Sequence, residues 1–177
     1  ENNETYTALQ TSLAAELAQP GDLANLRILV KAAALSQHPR LIEWRRKLAN
    51  HEQSNPQERE DYLKLLLSIG AQGEAEQWFR SLPQAIEKQE SIYLQCLILA
   101  QNEEEGIAQA FSLANNFLQK NPTATPLCEF FWDLCIRSQQ VFFWEEGLRQ
   151  MRRAAELDGE HARGAIRRLL KMKIGTN

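Results

Sequence analysis

The chain of 177 residues contains few of the β-branched side chains that build β-sheets. Val, Ile and Thr together fill 18 positions, whereas Leu and Ala fill 46. Leu, Ala, Glu, Gln and Arg favour helices, and β-branched side chains favour strands. This composition excludes an extended sheet and predicts an all-α fold.

Glycine, proline and cysteine are also scarce, with 8, 6 and 3 residues. The low Gly and Pro content and the 24% of charged residues exclude collagen-like and disordered chains. The cysteines, Cys96, Cys128 and Cys135, lie in apolar stretches without Cys-x-x-Cys spacing. We therefore expect buried thiols, without disulfides or a zinc site, in a reducing compartment. This favours a cytoplasmic protein or the soluble domain of an anchored or exported one.

Long hydrophobic runs are absent as well. Leu65 to Leu67 is among the longest, and a helix that spans a bilayer needs about 18 apolar residues. The chain begins at Glu1 without an initiator Met or a signal-like segment. We therefore expect that the chain is a piece of a longer protein and that this piece contains no transmembrane segment.

The residue patterns that carry catalysis are missing. The sequence has no Gly-rich phosphate loop, no Gly-x-Ser-x-Gly and no His-Glu-x-x-His. The histidines, His38, His51 and His161, lie far apart in predicted connections or at helix ends. The acidic run 103–105 starts a predicted helix, where the helix dipole favours carboxylates. We therefore predict no catalytic, cofactor-binding or metal-ligating residue, and no enzyme.

Apolar residues recur at intervals of three and four, with breaks at Gly, Pro and Asn, and this pattern predicts about ten helices. The predicted helices span 5–18, 23–37, 57–69, 74–82, 85–101, 103–120, 126–139, 142–157 and 161–173, and a further one begins near Pro39. Their short connections favour a single domain built from antiparallel helical hairpins.

Three segments repeat one helix-turn-helix pattern, in which large apolar residues alternate with small ones at set positions. The matches are Leu94, Leu97, Ala110 and Leu118 in 91–122, Phe131, Leu134 and Gly147 in 127–159, and Tyr62, Leu65, Gly73 and Ala75 in the segment from Glu58. The pattern resembles a divergent tetratricopeptide repeat. The resemblance implies a right-handed superhelix of hairpins, a tetratricopeptide-like α-solenoid. We expect one domain over 1–177, with helices that match no repeat in 1–56, three hairpins in 57–159 and a capping helix in 160–177.

The resemblance also implies a function, because such solenoids commonly hold a peptide or a partner domain on a concave face lined by the first helices of the hairpins. Gln95 and Arg137 lie on those helices and are candidate contacts. The spaced Lys and Asn residues of a carboxylate clamp are absent. We therefore predict a non-catalytic scaffold or adaptor that binds a protein or peptide.

Aromatic residues cluster in two Phe-Phe-Trp triplets, at 130–132 and 142–144. Successive helical residues are rotated by about 100°, so three in a row cannot all face one core. At least one in each triplet points elsewhere, and it either packs against a neighbouring hairpin or anchors a partner. Trp132, Phe143 and Trp144 are the candidate anchors.

Charge is distributed unevenly beneath a total of −3. Residues 57–110 carry ten acidic and four basic side chains, and residues 149–173 carry eight basic and three acidic ones. In the last predicted helix, Arg163, Arg167 and Lys171 form a basic stripe with a spacing of four residues. The stripe is either the solvated face of the cap or a surface for an anionic partner. The alternative function is therefore a nucleic-acid-binding or regulatory helical-repeat module.

Overall fold

The fold is described by a computed structural model that covers residues 2–83, 86–102, 104–138 and 140–160. Arg163, Gly164 and Arg167 are also described, and side chains are described from Tyr6 onward. These residues form nine α-helices and no strand, so the all-α prediction is confirmed. None of the helices is long and apolar enough to cross a lipid bilayer.

The helices follow one another with short connections. They are α1 (Asn2–Ala18), α2 (Leu23–Leu35), α3 (Leu41–Ala49), α4 (Pro56–Ser68), α5 (Gln72–Ser81), α6 (Lys88–Leu99), α7 (Glu104–Leu118), α8 (Leu127–Arg137) and α9 (Val141–Leu157). Each corresponds to a predicted helix within a few residues at its ends. Most of the tenth predicted helix, 161–173, and most of the predicted cap at 160–177 lie outside the described residues.

Local sequence signals explain where these helices begin and end. The Asp22 side chain accepts a hydrogen bond from the Asn25 backbone N–H at 2.8 Å and so caps α2. At the start of α4, the Asn55 side chain accepts from the Glu58 N–H, and the Glu58 carboxylate accepts from the Asn55 N–H, both at 2.9 Å. Gly70 follows α4 with a φ of +75°, a left-handed conformation in which glycine has no steric penalty.

The chain divides into two compact units, Glu1–Leu82 and Pro83–Asn177. This boundary differs from the predicted single domain and from its subdivision at residues 56 and 159. It falls at a proline that the sequence had marked as a helix end.

The first unit contains α1 to α5, and each of these helices packs against the next. One part of its core consists of Leu9, Leu29, Ala32, Ala33 and Trp44. Farther along, the Trp78 indole meets the Tyr62 ring edge-on at 5.1 Å between centroids and donates a hydrogen bond to the Asn50 Oδ1 at 2.8 Å. Trp44, Tyr62 and Trp78 are therefore core residues of this unit.

The second unit contains α6 to α9, in which each helix packs against the next and α6 also packs against α8. Gln89, at the start of α6, donates a hydrogen bond to the carbonyl of Thr125, just before α8. One turn later, the Tyr93 and Phe130 rings meet at 6.0 Å between centroids. These partners are 36 and 37 residues apart in the chain, so α6 and α8 run side by side in the same direction.

Small residues bring paired helices close together in this unit. In the pair α8 and α9, a Cβ placed on Gly147 would lie only 2.7 Å from the Cys135 Cβ. In the pair α6 and α7, the Cys96 thiol lies 3.6 Å from the Ala110 carbonyl oxygen. Ala110 and Gly147, the small residues of the repeated pattern, therefore lie where paired helices come close together.

Candidate interaction surfaces

Trp132 is a core residue. Its side chain is fully buried, and its indole N–H donates a hydrogen bond to the Gln150 side-chain oxygen. The Gln150 amide nitrogen in turn donates to the carbonyl of Pro122 at 2.7 Å. The candidate anchor Trp132 therefore lies inside the unit, where α9 supplies a buried polar partner for its indole N–H.

Phe143, a second candidate anchor, is also buried, and it shows the alternative that the sequence left open, packing against a neighbouring pair of helices. Its ring stacks on Phe111 of α7, with 4.1 Å between centroids and 15° between planes. Phe131 of α8 lies on the same ring of Phe111 at 5.1 Å. Helix α7 covers the side chains of Phe131 and Phe143. Because α7 lies elsewhere in the chain, the triplets alone do not identify it as the helix that covers them.

Phe142 is the member of the two triplets that is largely exposed to solvent. Its side chain is 64% exposed, and that of the adjacent Val141 is 75% exposed. The centroid of the Phe142 ring lies 5.8 Å from that of Phe111 and 6.0 Å from that of Phe143, so one side of the ring packs against two other aromatic rings. We call Val141 and Phe142 the apolar patch.

Trp144, the third aromatic candidate, is half-buried. It lines a crevice of about 10 Å³ together with Cys135, Ile136, Gly147, Leu148 and Met151. A space of this size is at the lower limit for one water molecule. The crevice is therefore a small gap between packed helices and has no room for a ligand.

Gln95 and Arg137 are both exposed, on α6 and α8 respectively. Because these helices run side by side, the structure places the two predicted contacts on neighbouring helices of one unit. The Arg137 guanidinium donates to the carbonyl of Asp133 on its own helix at 3.4 Å.

Arg163 and Arg167 are exposed, and Lys171 lies outside the described residues. The sequence-based choice of this stripe overlooked a better-defined basic surface on α9. Arg149, Arg152 and Arg153 line an open groove of about 520 Å³ together with Glu145, Leu148 and Glu156. We call these six residues the α9 groove.

Two of the thiols have raised pKa values and therefore stay in the protonated form, which is unsuited to nucleophilic chemistry. Burial raises the pKa of Cys96 to about 12. Burial, with a smaller contribution from the nearby Glu146 carboxylate, raises the pKa of Cys135 to about 12. Thiols react as thiolates, so neither side chain is an activated nucleophile.

The histidines within the described part of the chain, His38 and His51, accept backbone hydrogen bonds at the connections between helices. The His38 Nδ1 accepts a hydrogen bond from the Arg40 N–H at 3.2 Å, and the His51 Nδ1 accepts from the Gln53 N–H at 3.1 Å. Across the same part of the chain, His, Cys, Asp and Glu side chains form no group of three or more that could hold a metal ion. His161 lies outside the described residues.

Comparison of the chain with models of protein families, with curated proteins and with solved structures finds no match.

Proposed function

We propose that the protein is a non-catalytic interaction module that binds a partner polypeptide through its second unit. The apolar patch supports this proposal most directly. Exposed aromatic side chains that are fixed by their neighbours make strong contacts, because little side-chain entropy is lost when a partner covers them. Phe142 has this character, since Phe111 and Phe143 support its ring.

We further propose that α6–α7 and α8–α9 are hairpins of the tetratricopeptide type, stacked in a right-handed superhelix. Contacts between residues 36 and 37 apart join the first helices of the two hairpins, as the stacking of similar repeats requires. In each hairpin, a cysteine of the first helix packs against a small residue of the second, Ala110 or Gly147. Gln95 and Arg137 would then lie on the face of the first helices and contribute polar contacts to the partner.

A capture experiment tests the proposed binding function. Immobilised wild-type protein and the Phe142→Ala variant are incubated with lysate of the source organism, and the recovered polypeptides are compared by mass spectrometry. Loss of a central aromatic contact typically costs about 2 kcal/mol, or about 30-fold in affinity, so the variant should lose a polypeptide that the wild type retains.

The matched control is Leu35→Ala, which removes a side chain that is 70% exposed in the first unit. This variant should recover the same polypeptides as the wild type. Equal recovery by wild-type protein and by Phe142→Ala would contradict the role of the apolar patch.

A second candidate function is binding to nucleic acid, which we propose from the exposure of Arg163 and Arg167 four residues apart. Binding of a single-stranded RNA should then fall steeply with salt concentration and weaken in the variant Arg163→Glu/Arg167→Glu. Binding that is absent or insensitive to salt would remove this candidate.

A further inference from the structure

Among the described residues, those that line the α9 groove follow one side of α9 for three turns. Its lining residues lie at positions 145, 148, 149, 152, 153 and 156, a spacing that aligns them on one face. From Glu145 to Glu156 the groove extends for about 17 Å, because a helix rises about 1.5 Å per residue. A partner helix of similar length laid along the groove would reach all six residues.

The charged side chains follow a defined order along this groove. Glu145 and Glu156 mark its two ends, and Arg149, Arg152 and Arg153 lie between them. Arg149 pairs with Glu146 at 2.9 Å. Arg152 and Arg153 are exposed. The middle of the groove therefore carries three arginine side chains, with one carboxylate at each end.

The groove also has an apolar component. Leu148 is half-buried and lines it between the charged ends. One turn before Glu145, the apolar patch continues the exposed side of α9. An amphipathic helix could therefore place an apolar side chain against Leu148 and charged side chains along the arginines.

We infer that the α9 groove binds an amphipathic helical segment of a partner protein that carries acidic residues in its middle turn and basic residues at both ends. The inference rests on the proposed polypeptide-binding function and specifies the partner's charge order. Complementary charge at an exposed interface sets partner choice and orientation. A nucleic acid matches the groove less well, because its uniform phosphates would meet the carboxylates of Glu145 and Glu156.

Two synthetic peptides of about 18 residues, long enough to cover three turns, test this inference. Both have the same composition and the same leucine positions. The matched peptide has Glu in its middle turn and Lys at its ends, and the inverted peptide has Lys in the middle and Glu at the ends. Fluorescence anisotropy measures the binding of each to the full chain.

We expect the matched peptide to bind at least tenfold more tightly than the inverted one, and its affinity to fall with salt. The variant Arg152→Glu/Arg153→Glu should reverse this preference, because it places acidic side chains in the middle of the groove. The control Arg80→Glu changes a side chain that is 76% exposed in the first unit and should leave the preference unchanged. Circular dichroism establishes that both variants remain folded.

Several outcomes overturn the inference. Equal affinity for the two peptides, or no binding of either, removes the charge order as a determinant. Tight binding of a single-stranded RNA without binding of the peptides identifies a nucleic acid as the occupant. A dimer that dissociates in Arg152→Glu/Arg153→Glu identifies a second copy of the chain.

The experiment also separates this inference from the proposed function. If neither peptide binds but Phe142→Ala still loses its captured polypeptide, the charge order fails and the interaction module stands. If the matched peptide binds with the expected preference and Phe142→Ala loses no captured polypeptide, the groove stands and the apolar patch fails.

Discussion

Replacing Gly147 by alanine measures how closely α8 and α9 pack. An alanine Cβ at this position would lie 2.7 Å from the Cys135 Cβ and 3.1 Å from its Sγ. The Cβ belongs to the start of the side chain and moves only with the helix backbone. The two helices must therefore shift apart to admit one methyl group.

The expected change in stability is the difference between two effects. Alanine in a helix interior is more favourable than glycine by about 0.5–1 kcal/mol. Forcing an extra carbon into a packed core costs about 1–3 kcal/mol. We therefore expect Gly147→Ala to lower the free energy of unfolding by about 1–2 kcal/mol.

Gly73→Ala is the matched control, because Gly73 lies in α5 and no atom lies within 4 Å of a Cβ placed there. This variant should be unchanged or slightly more stable. Urea unfolding followed by circular dichroism measures both variants, with free energies from linear extrapolation.

The double variant Gly147→Ala/Cys135→Gly removes the opposing Cβ. A double-mutant cycle should then show a favourable coupling of about 1 kcal/mol between the two positions. If Gly147→Ala is as stable as the wild type or more so, or if the coupling is zero, the reasoning about this close contact is refuted.

Three further predictions concern single groups in the two units. Asn55→Ala should lower the free energy of unfolding by about 1 kcal/mol, because the capping box of α4 is lost; an unchanged thermal midpoint would speak against the cap. Because burial raises the pKa of Cys96 and of Cys135 to about 12, a thiol reagent should label them in the native protein only as fast as it unfolds. Rapid labelling of the folded protein would contradict this. Burial raises the pKa of Tyr62 from 10.0 to about 12, so the native state keeps a proton that the unfolded state loses, and stability should fall as pH rises between these values. The urea midpoint of Tyr62→Phe should depend less on pH in this range, and equal slopes for the two proteins would refute the assignment.

The helices could be predicted well because helix formation depends on nearby residues. The periodic apolar positions and the signals at Asp22, Asn55 and Gly70 act within a few residues of each helix end. The close approach at Gly147 was also evident from the sequence, since a small residue at a repeated helical position indicates a crossing. The division of the chain at Pro83 was not evident, because it depends on which helices pack together.

The candidate sites were predicted less well. The sequence showed correctly that each aromatic triplet could not face one core, but it did not show which member is exposed. Trp132 and Phe143 are buried because Gln150 and Phe111 come from other helices to meet them. Phe142 remains exposed because it lies at the start of α9, where its neighbours cover only one side of the ring.

By itself, the sequence determined that this protein is helical, where the helices lie and how charge is distributed along the chain. Those properties follow from side-chain preferences and from spacing, which act locally. Only the tertiary structure decided that Phe142 is the exposed member of the aromatic triplets and that the arginines of α9 lie in one groove between two carboxylates. Exposure depends on neighbours that may be distant in the chain, and no local pattern specifies them.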